Sequence, residues 1–425
     1  MAIRASGVNR IDSLVDSYTW TNAPNQAFAI KYAFTTQAGF QVPDALKSAY
    51  LSAAQEWSNV ANIRFVASNS STAQITYGQK DLSAYGQGVI GTSFQYGYSN
   101  GKLARADVVL DDRFATSASV AKGTLGYLTL IHEIGHSIGL KHPGDYNGES
   151  GHGTGVFLPT AEDTLNASVM SYNSSAIVNQ ASSPPITPQL YDIAAVQYMY
   201  GANTTYNSGN TTYSISGAKN AQTIWDGGGN DTINANKIAT ASTIDLNEGF
   251  NSYSKIGSSY VWAAFGANIE NATGGSAGDT INGNGLHNIL IGNEGNDSIF
   301  GNIGNDSLFG DAGNDMLNGG VGNDFLFGGL GNDTLVGGTG SDTFYFTGGS
   351  GKDTVLQFEG AGVTGGDVIR LAAVNLNPGG ITNISKLLEA VTYNATGAVI
   401  KLGGANDITL VGVTTHLQLN DFQIG

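Results

Sequence analysis

Apolar residues in the first half of the chain recur with two different periods. Leu46, Ala49, Tyr50, Ala53 and Trp57 stand at helical spacing behind Pro43-Asp44, which predicts a helix with one face in a core. Ile63 to Val66, Ile75 to Tyr77, Val89 to Phe94 and Asp107 to Leu110 are short β-prone runs between turn formers, and together they predict a small mixed sheet. Thr124 to Leu140, TLGYLTLIHEIGHSIGL, returns to the helical period, with Leu125, Leu128, Ile131, Ile134 and Ile138 on one face and Gly139 ending the run. A loop rich in Gly, Asn and Ser follows to about Asn166. QLYDIAAVQYM, Gln189 to Met199, predicts a last helix.

Beyond Asn203 the helical period disappears. From Gly274 a nine-residue repeat replaces it: Asp279, Asn288, Asp297, Asp306, Asp315, Asp324, Asp333 and Asp342 stand nine apart. Two positions after each comes an apolar residue: Ile281, Leu290, Ile299, Leu308, Leu317, Leu326, Leu335 and Phe344. A flexible Gly/Asn linker has no reason to keep that apolar place. DGGGNDTIN (Asp226 to Asn234, containing Asp231) is an isolated copy, and GGSGKDTVL (Gly348 to Leu356, containing Asp353) a degenerate one. Residues 361–425 lose the repeat and read as a β-rich cap. The pattern thus divides the chain into a mixed α/β domain over 1–203, a repeat region over 204–360 and a cap over 361–425.

Composition sharpens this division. Glycine supplies 60 of 425 residues, with the excess mostly in the repeats, and 34 acidic against 18 basic residues give a net charge of −16. No basic run could neutralise successive phosphates, so nucleic acid and anionic membrane are poor partners. Acidic side chains packed into a Gly-rich tract point to hard cations. Cysteine is absent, which leaves any metal to His, Asp, Glu and Tyr. Met1 to Leu14 lack the apolar run of a secretory signal, so export is expected by another route.

The candidate chemistry lies in the second helix. His132 and His136, at i and i+4, face one way and can reach one metal. In HEIGHSIGLKH, Gly139 lets the chain turn and His142 returns as a third nitrogen, a set that suits catalytic zinc with one open position. The extended string, with Ser168-Val169-Met170-Ser171-Tyr172 after it, resembles the metzincins and their Met-turn. HEIGH, Gly139, HPGDYN (His142 to Asn147), VMSY (Val169 to Tyr172) and DIAAVQYMYGAN (Asp192 to Asn203) together resemble the serralysins.

That resemblance implies an α+β metzincin-like zinc protease domain followed by an all-β calcium-binding parallel β-roll with a β-rich cap. It implies His132, His136 and His142 as zinc ligands, Glu133 as general base, Met170 as an apolar floor, and Tyr172 as a displaceable fifth ligand that hydrogen-bonds the oxyanion. The implied activity is a zinc endopeptidase acting on extended protein or peptide substrates. Two positions depart from the family pattern: Asn173 stands where an aromatic residue is expected, and Tyr191 where an acidic one is.

The repeats fit G-G-x-G-x-D-x-U-x, as in GGVGNDFLF (Gly319 to Phe327). Six residues form a turn whose carbonyls and Asp carboxylate offer all-oxygen ligation to Ca²⁺, and three form a strand with U pointing inward. The expected calcium positions are Asp231, Asp279, Gly292, Gly295, Asp297, Gly301, Gly304, Asp306, Gly310, Gly313, Asp315, Gly319, Gly322, Asp324, Gly328, Gly331, Asp333, Gly337, Gly340, Asp342 and Asp353, with calcium between stacked turns and the calcium-free roll disordered. Asn293, Asn302 and Asp311 replace the second Gly, as residues that tolerate the left-handed region. Asn288 replaces a ligand Asp and weakens its site.

Such rolls accompany one-step type I export, and Asp421-Phe422-Gln423-Ile424-Gly425 resembles the acidic-plus-apolar ending of that signal. A monomer secreted by a Gram-negative bacterium is expected, with the type I machinery as a partner and room for a small protein inhibitor. Two other readings stay open on the repeats alone: a calcium-dependent adhesin, and another repeat-bearing enzyme such as a lipase. The one G-x-S-x-G string, Gly274 to Gly278, falls in a repeat turn and supports the lipase little.

Overall fold

A computed structural model describes residues 8–16, 19–21, 24–96, 102–144, 146, 156–359, 366–372, 383–402, 406–414 and 417–424. Residues 1–7, Asp145, Asn147, His152, His416 and Gly425 are among those outside the described residues.

Pro43 caps helix α2 (Asp44–Val60); a short helix α1 (Asn9–Asp12) precedes it. The apolar stripe of α2 is buried as its spacing demands, with Tyr50 and Trp57 fully enclosed. Helix α3 (Leu125–Ser137) packs across it, and the Trp57 indole donates to the Ile131 carbonyl at 3.1 Å. Both helices cover a five-stranded sheet of β1 (Phe28–Phe34), β2 (Ile63–Ala67), β3 (Ile75–Lys80), β4 (Gly91–Tyr96) and β5 (Arg105–Asp111). Its order is β2-β1-β3-β5-β4, parallel except for β4, which forms an antiparallel edge. Strand β1 is one the hydrophobic pattern does not announce: FAIKYAF buries Ile30 and Ala33, which are three apart. Helix α4 (Leu190–Tyr200) closes the domain behind a reciprocal Gln189–Asp192 cap.

The repeats wind into two parallel sheets. Ile281, Ile299, Leu317, Leu335 and Val355 stack in register in one, and Ala272, Leu290, Leu308, Leu326, Phe344 and Ile369 in the other. All of them are fully buried between the sheets. Neighbours in one sheet are 18 residues apart through the repeats, so two repeats complete one coil. The C-terminal strands extend the same sheets: Val368–Leu371 and Phe422–Ile424 add to one, Asp407–Val411 to the other, all parallel. At the other end, Trp225, Trp262, Ala264 and Ala267 pack into the core of the helical domain, and the Trp225 indole donates to the Asn203 carbonyl.

Candidate metal centre

Helix α3 begins at Thr124, whose hydroxyl accepts from the Tyr127 amide. This start sets the helical phase that puts His132 and His136 on one face. Gly135, between them, leaves room for the floor of the site: a Cβ there would stand 2.6 Å from Met170 Sδ and 3.1 Å from the Trp57 ring. Gly139 then turns the chain at φ +105°. The N-terminal segment straps the turn: Asp16 donates to the Gly139 carbonyl at 2.9 Å, Lys141 to the Leu14 carbonyl at 2.8 Å, and the Trp20 indole to the Ser137 carbonyl.

His142 thereby comes back onto the helix. Its Nε2 lies 3.1 Å from His132 Nε2 and 3.0 Å from His136 Nε2. Each helical imidazole has its other nitrogen against a carbonyl, His132 Nδ1 at 2.8 Å from Val169 O and His136 Nδ1 at 2.9 Å from Leu140 O. Those carbonyls fix the proton on Nδ1 and leave bare lone pairs on Nε2. Burial pushes His132 down to about 3 and His136 to about 4; His142 is lowered by burial and then by its two neighbours. Three neutral imidazoles therefore converge through Nε2, two of them with the lone pair already exposed there. Zinc–nitrogen bonds of about 2.0–2.1 Å at tetrahedral angles set ligands about 3.4 Å apart, so the triad fits zinc with a small outward relaxation.

Glu133 sits beside the triad, 7% exposed, and burial raises its carboxyl to about 8 in the metal-free site. It lines a cleft of about 490 Å³ with Val89, Gly91, His132, Leu165 and Tyr172. A larger hollow of about 730 Å³, between α2 and β2, lies away from these groups. Tyr172 is 46% exposed, and its ring stacks on His132 at 5.4 Å and lies 4.5 Å from that of His142. Met170 is fully buried.

Several supporting residues act through contacts that the sequence motifs do not show. Buried Asp192 accepts from the Ser168 hydroxyl (2.5 Å), the Val169 amide (2.7 Å) and the Gln189 amide (2.8 Å), and so holds the turn whose Val169 carbonyl orients His132. Burial raises its carboxyl to about 7 despite these donors. Asp163 accepts from Tyr146 (2.5 Å), Ser171 (2.7 Å) and Asn173 (3.0 Å), which gives the unexpected Asn173 a place in the loop. Tyr191, the other departure, donates to Glu162 at 2.7 Å and lies under the Arg10 guanidinium, which binds both oxygens of Glu162. Asp192 opens the DIAAVQYMYGAN stretch and Tyr146 lies in HPGDYN, whereas Asp163 and Glu162 belong to neither.

In the roll, buried aspartates stand in two ladders. One oxygen of Asp297 accepts the Asp279 amide at 2.6 Å, and Asp315, Asp333 and Asp353 repeat the contact every coil. Asp306, Asp324 and Asp342 do the same in the other ladder. The second oxygen of Asp231, Asp297, Asp306, Asp315, Asp324, Asp333, Asp342 and Asp353 is buried without a partner. Gly292, Gly301, Gly310, Gly319, Gly328 and Gly337 lie against those bare oxygens, where a Cβ would fill the cradle. Gly295, Gly304, Gly313, Gly322, Gly331 and Gly340, at φ between +124° and +149°, pack on the turn one coil earlier, five of the six against its carbonyl oxygen. Anionic oxygens and carbonyls with no donor nearby suit Ca²⁺. Asp279 differs, since both its oxygens accept backbone amides.

Geometry therefore defines a three-histidine zinc-type centre on a mixed α/β domain, joined to a calcium-type parallel roll. The matrixin family model matches residues 19–148 and the model of the RTX calcium-binding nonapeptide repeat matches 217–237 and stretches within 273–356. Metalloprotease AprA of Pseudomonas entomophila (strain L48) is 32% identical over 306 residues, 67% of this chain and 61% of that one. Serralysin of Proteus mirabilis is 35% identical over 267 residues, 55% of this chain and 53% of that one, and serralysin of Photorhabdus luminescens 32% over 317, 64% and 62%. The chain is thus similar, in both its matrixin region and its repeats, to the serralysin-type metzincins. It spans about three fifths of the length of the first of these relatives.

Proposed function

We propose that the chain is a secreted zinc-dependent endopeptidase whose roll is stabilised by calcium. The observation that carries this reading is the convergence of three Nε2 atoms, two of them bare because their Nδ1 protons are held by carbonyls, beside a buried carboxyl. His132, His136 and His142 would hold zinc, which when bound supplies Lewis-acid polarisation to oxygen in its open position. Glu133 accepts the proton of the attacking water and returns it to the leaving amine nitrogen. The Tyr172 hydroxyl donates to the scissile carbonyl oxygen as that oxygen gains charge. Its ring, 46% exposed, covers the imidazoles of His132 and His142.

Substrate binding follows from the sheet edge. Strand β4 pairs with β5 on one side only, and Gln95 ties it to α3 by donating to the His136 carbonyl at 2.6 Å. An extended peptide laid along β4 would pass the cleft with its backbone bonded to the strand. Proteins or peptides in extended conformation are thus the substrate class. Among the described residues no helix is long and apolar enough to cross a membrane. Release by the type I route from a Gram-negative cell is supported by the calcium-dependent ladders, which leave the roll unfolded where calcium is scarce.

Casein hydrolysis with calcium present tests the reading, comparing wild type, Glu133→Gln, and wild type stripped by a chelator and resupplied with zinc. Activity should be lost on stripping, return with zinc, and fall about 10²- to 10⁴-fold in Glu133→Gln with zinc content unchanged. An unaltered rate in that variant would remove Glu133 from the mechanism. Zinc-loaded, folded wild type without activity on any extended substrate would end the peptidase reading.

A further inference from the structure

The repeat turns look uniform in sequence, yet they close in two different ways. From Asp297 to Asp353 each carboxylate uses one oxygen in the ladder and leaves the other buried and bare. In the two turns before them the corresponding oxygen is taken by the chain itself. Asp279 Oδ2 accepts the Gly275 amide at 2.6 Å, four residues earlier, while Oδ1 accepts the Ser242 amide at 2.6 Å. Asn288 Oδ1 accepts the Asn284 amide at 2.9 Å, and its Nδ2 donates to the Glu270 carbonyl at 2.8 Å.

Backbone conformation explains the switch. Four residues before each bare carboxylate from Asp297 to Asp342 stand Asn293, Asn302, Asp311, Gly320, Gly329 and Gly338, all at φ between +71° and +105°. Gly275 and Asn284, at the same place in the earlier turns, are not in that region, and their amides point at the side chain instead. The far end closes likewise. Asp367 continues the ladder by accepting the Asp342 amide, and its second oxygen accepts the Glu359 amide at 2.6 Å.

We propose that calcium occupies only the column of turns bearing Asp297 to Asp353, and that the turns of Asp279, Asn288 and Asp367 are metal-free ends in which a backbone amide does the work of the cation. Asp231, whose bare oxygen lies apart from this column, stands outside the proposal. The roll is then a calcium-dependent stack held between two ends that form by hydrogen bonding alone. The first end rests on the strands Thr243–Asp245 and Asn271–Thr273, which lead in from the helical domain, and offers a template on which the stack can grow. This rests on the calcium reading of the repeats.

Two measurements on the full chain test it. Calcium bound per molecule, by equilibrium dialysis and metal analysis, should be unchanged in Asp279→Asn and lower by at least one ion in Asp315→Asn. Amide hydrogen exchange of the wild-type chain after chelation should leave Thr280–Asn282 protected while 298–339 lose protection, which needs no variant to fold. Loss of an ion in Asp279→Asn, or equal loss of protection in both segments, would overturn the proposal. A wild type that binds no calcium would end the calcium reading and the proposal with it, whereas normal binding spread evenly over all turns would end the proposal alone.

Discussion

If the stacked carboxylates are what calcium neutralises, acid should replace calcium. Burial raises Asp315, Asp324, Asp333, Asp342 and Asp353 to about 6 and Asp297 to about 7, each beside further acidic neighbours in most cases; Asp306 is raised too. Holding one such group ionised at pH 7 costs about 3 kcal/mol relative to an open-chain aspartate. Solvent reaching the turn edges screens that cost, and halving it leaves about 1.5 kcal/mol per group. For six groups this comes to about 9 kcal/mol, which is of the order of a whole domain's stability. A folded value above the unfolded one means stability that is complete below about 3.8 and lost as pH rises through about 6 to 7. Calcium-stripped protein should therefore be unfolded over 298–339 at pH 7 and regain strand signal as pH is lowered to about 5. Far-UV circular dichroism, with amide exchange to assign the change to the roll, is the assay. A stripped roll that stays unfolded through this window, or is already folded at pH 7, would refute the electrostatic argument.

Three further outcomes follow from named contacts. Gly313→Ala should destabilise the roll by several kcal/mol and raise the calcium needed for folding, because its Cβ would overlap the Gly295 carbonyl at φ +149°; calcium-dependent thermal melts check this. Asp192→Ala should weaken zinc binding about tenfold, read by competition with a chromogenic chelator, because the Val169 carbonyl that orients His132 loses its anchor. Arg10→Ala should cost about 1 kcal/mol in thermal stability, since the guanidinium end of its ion pair with Glu162 is half exposed, and a loss above about 3 kcal/mol would show the N-terminal segment to be more than a surface latch.

The ligands and the roll were legible because each is a local periodicity. HExxHxxGxxH fixes its geometry within one helix and one glycine turn, and an apolar residue every ninth position can only line a coil. What escaped the sequence depends on segments far apart. Strand β1 is defined by partners more than 30 residues away, since its own run alternates poorly. Asp163 looks like an ordinary loop residue until the chain brings Tyr146, Ser171 and Asn173 to it. The strap of Leu14 and Asp16 against the turn before His142 spans more than 120 positions. Tyr191 and Asn173 stood out only as departures, and each proves to bond a carboxylate of the same loop.

The 18-residue spacing of sheet neighbours sets a rule for how the gene can vary. Removing a single nine-residue unit would send every later strand to the opposite sheet, and Val368–Leu371 would arrive where Lys352–Leu356 belongs. Removing two units returns each strand to its own sheet with the register intact. The roll can therefore lengthen or shorten only in pairs of repeats, so that across descendants of this sequence its length should be quantised while the catalytic half drifts freely.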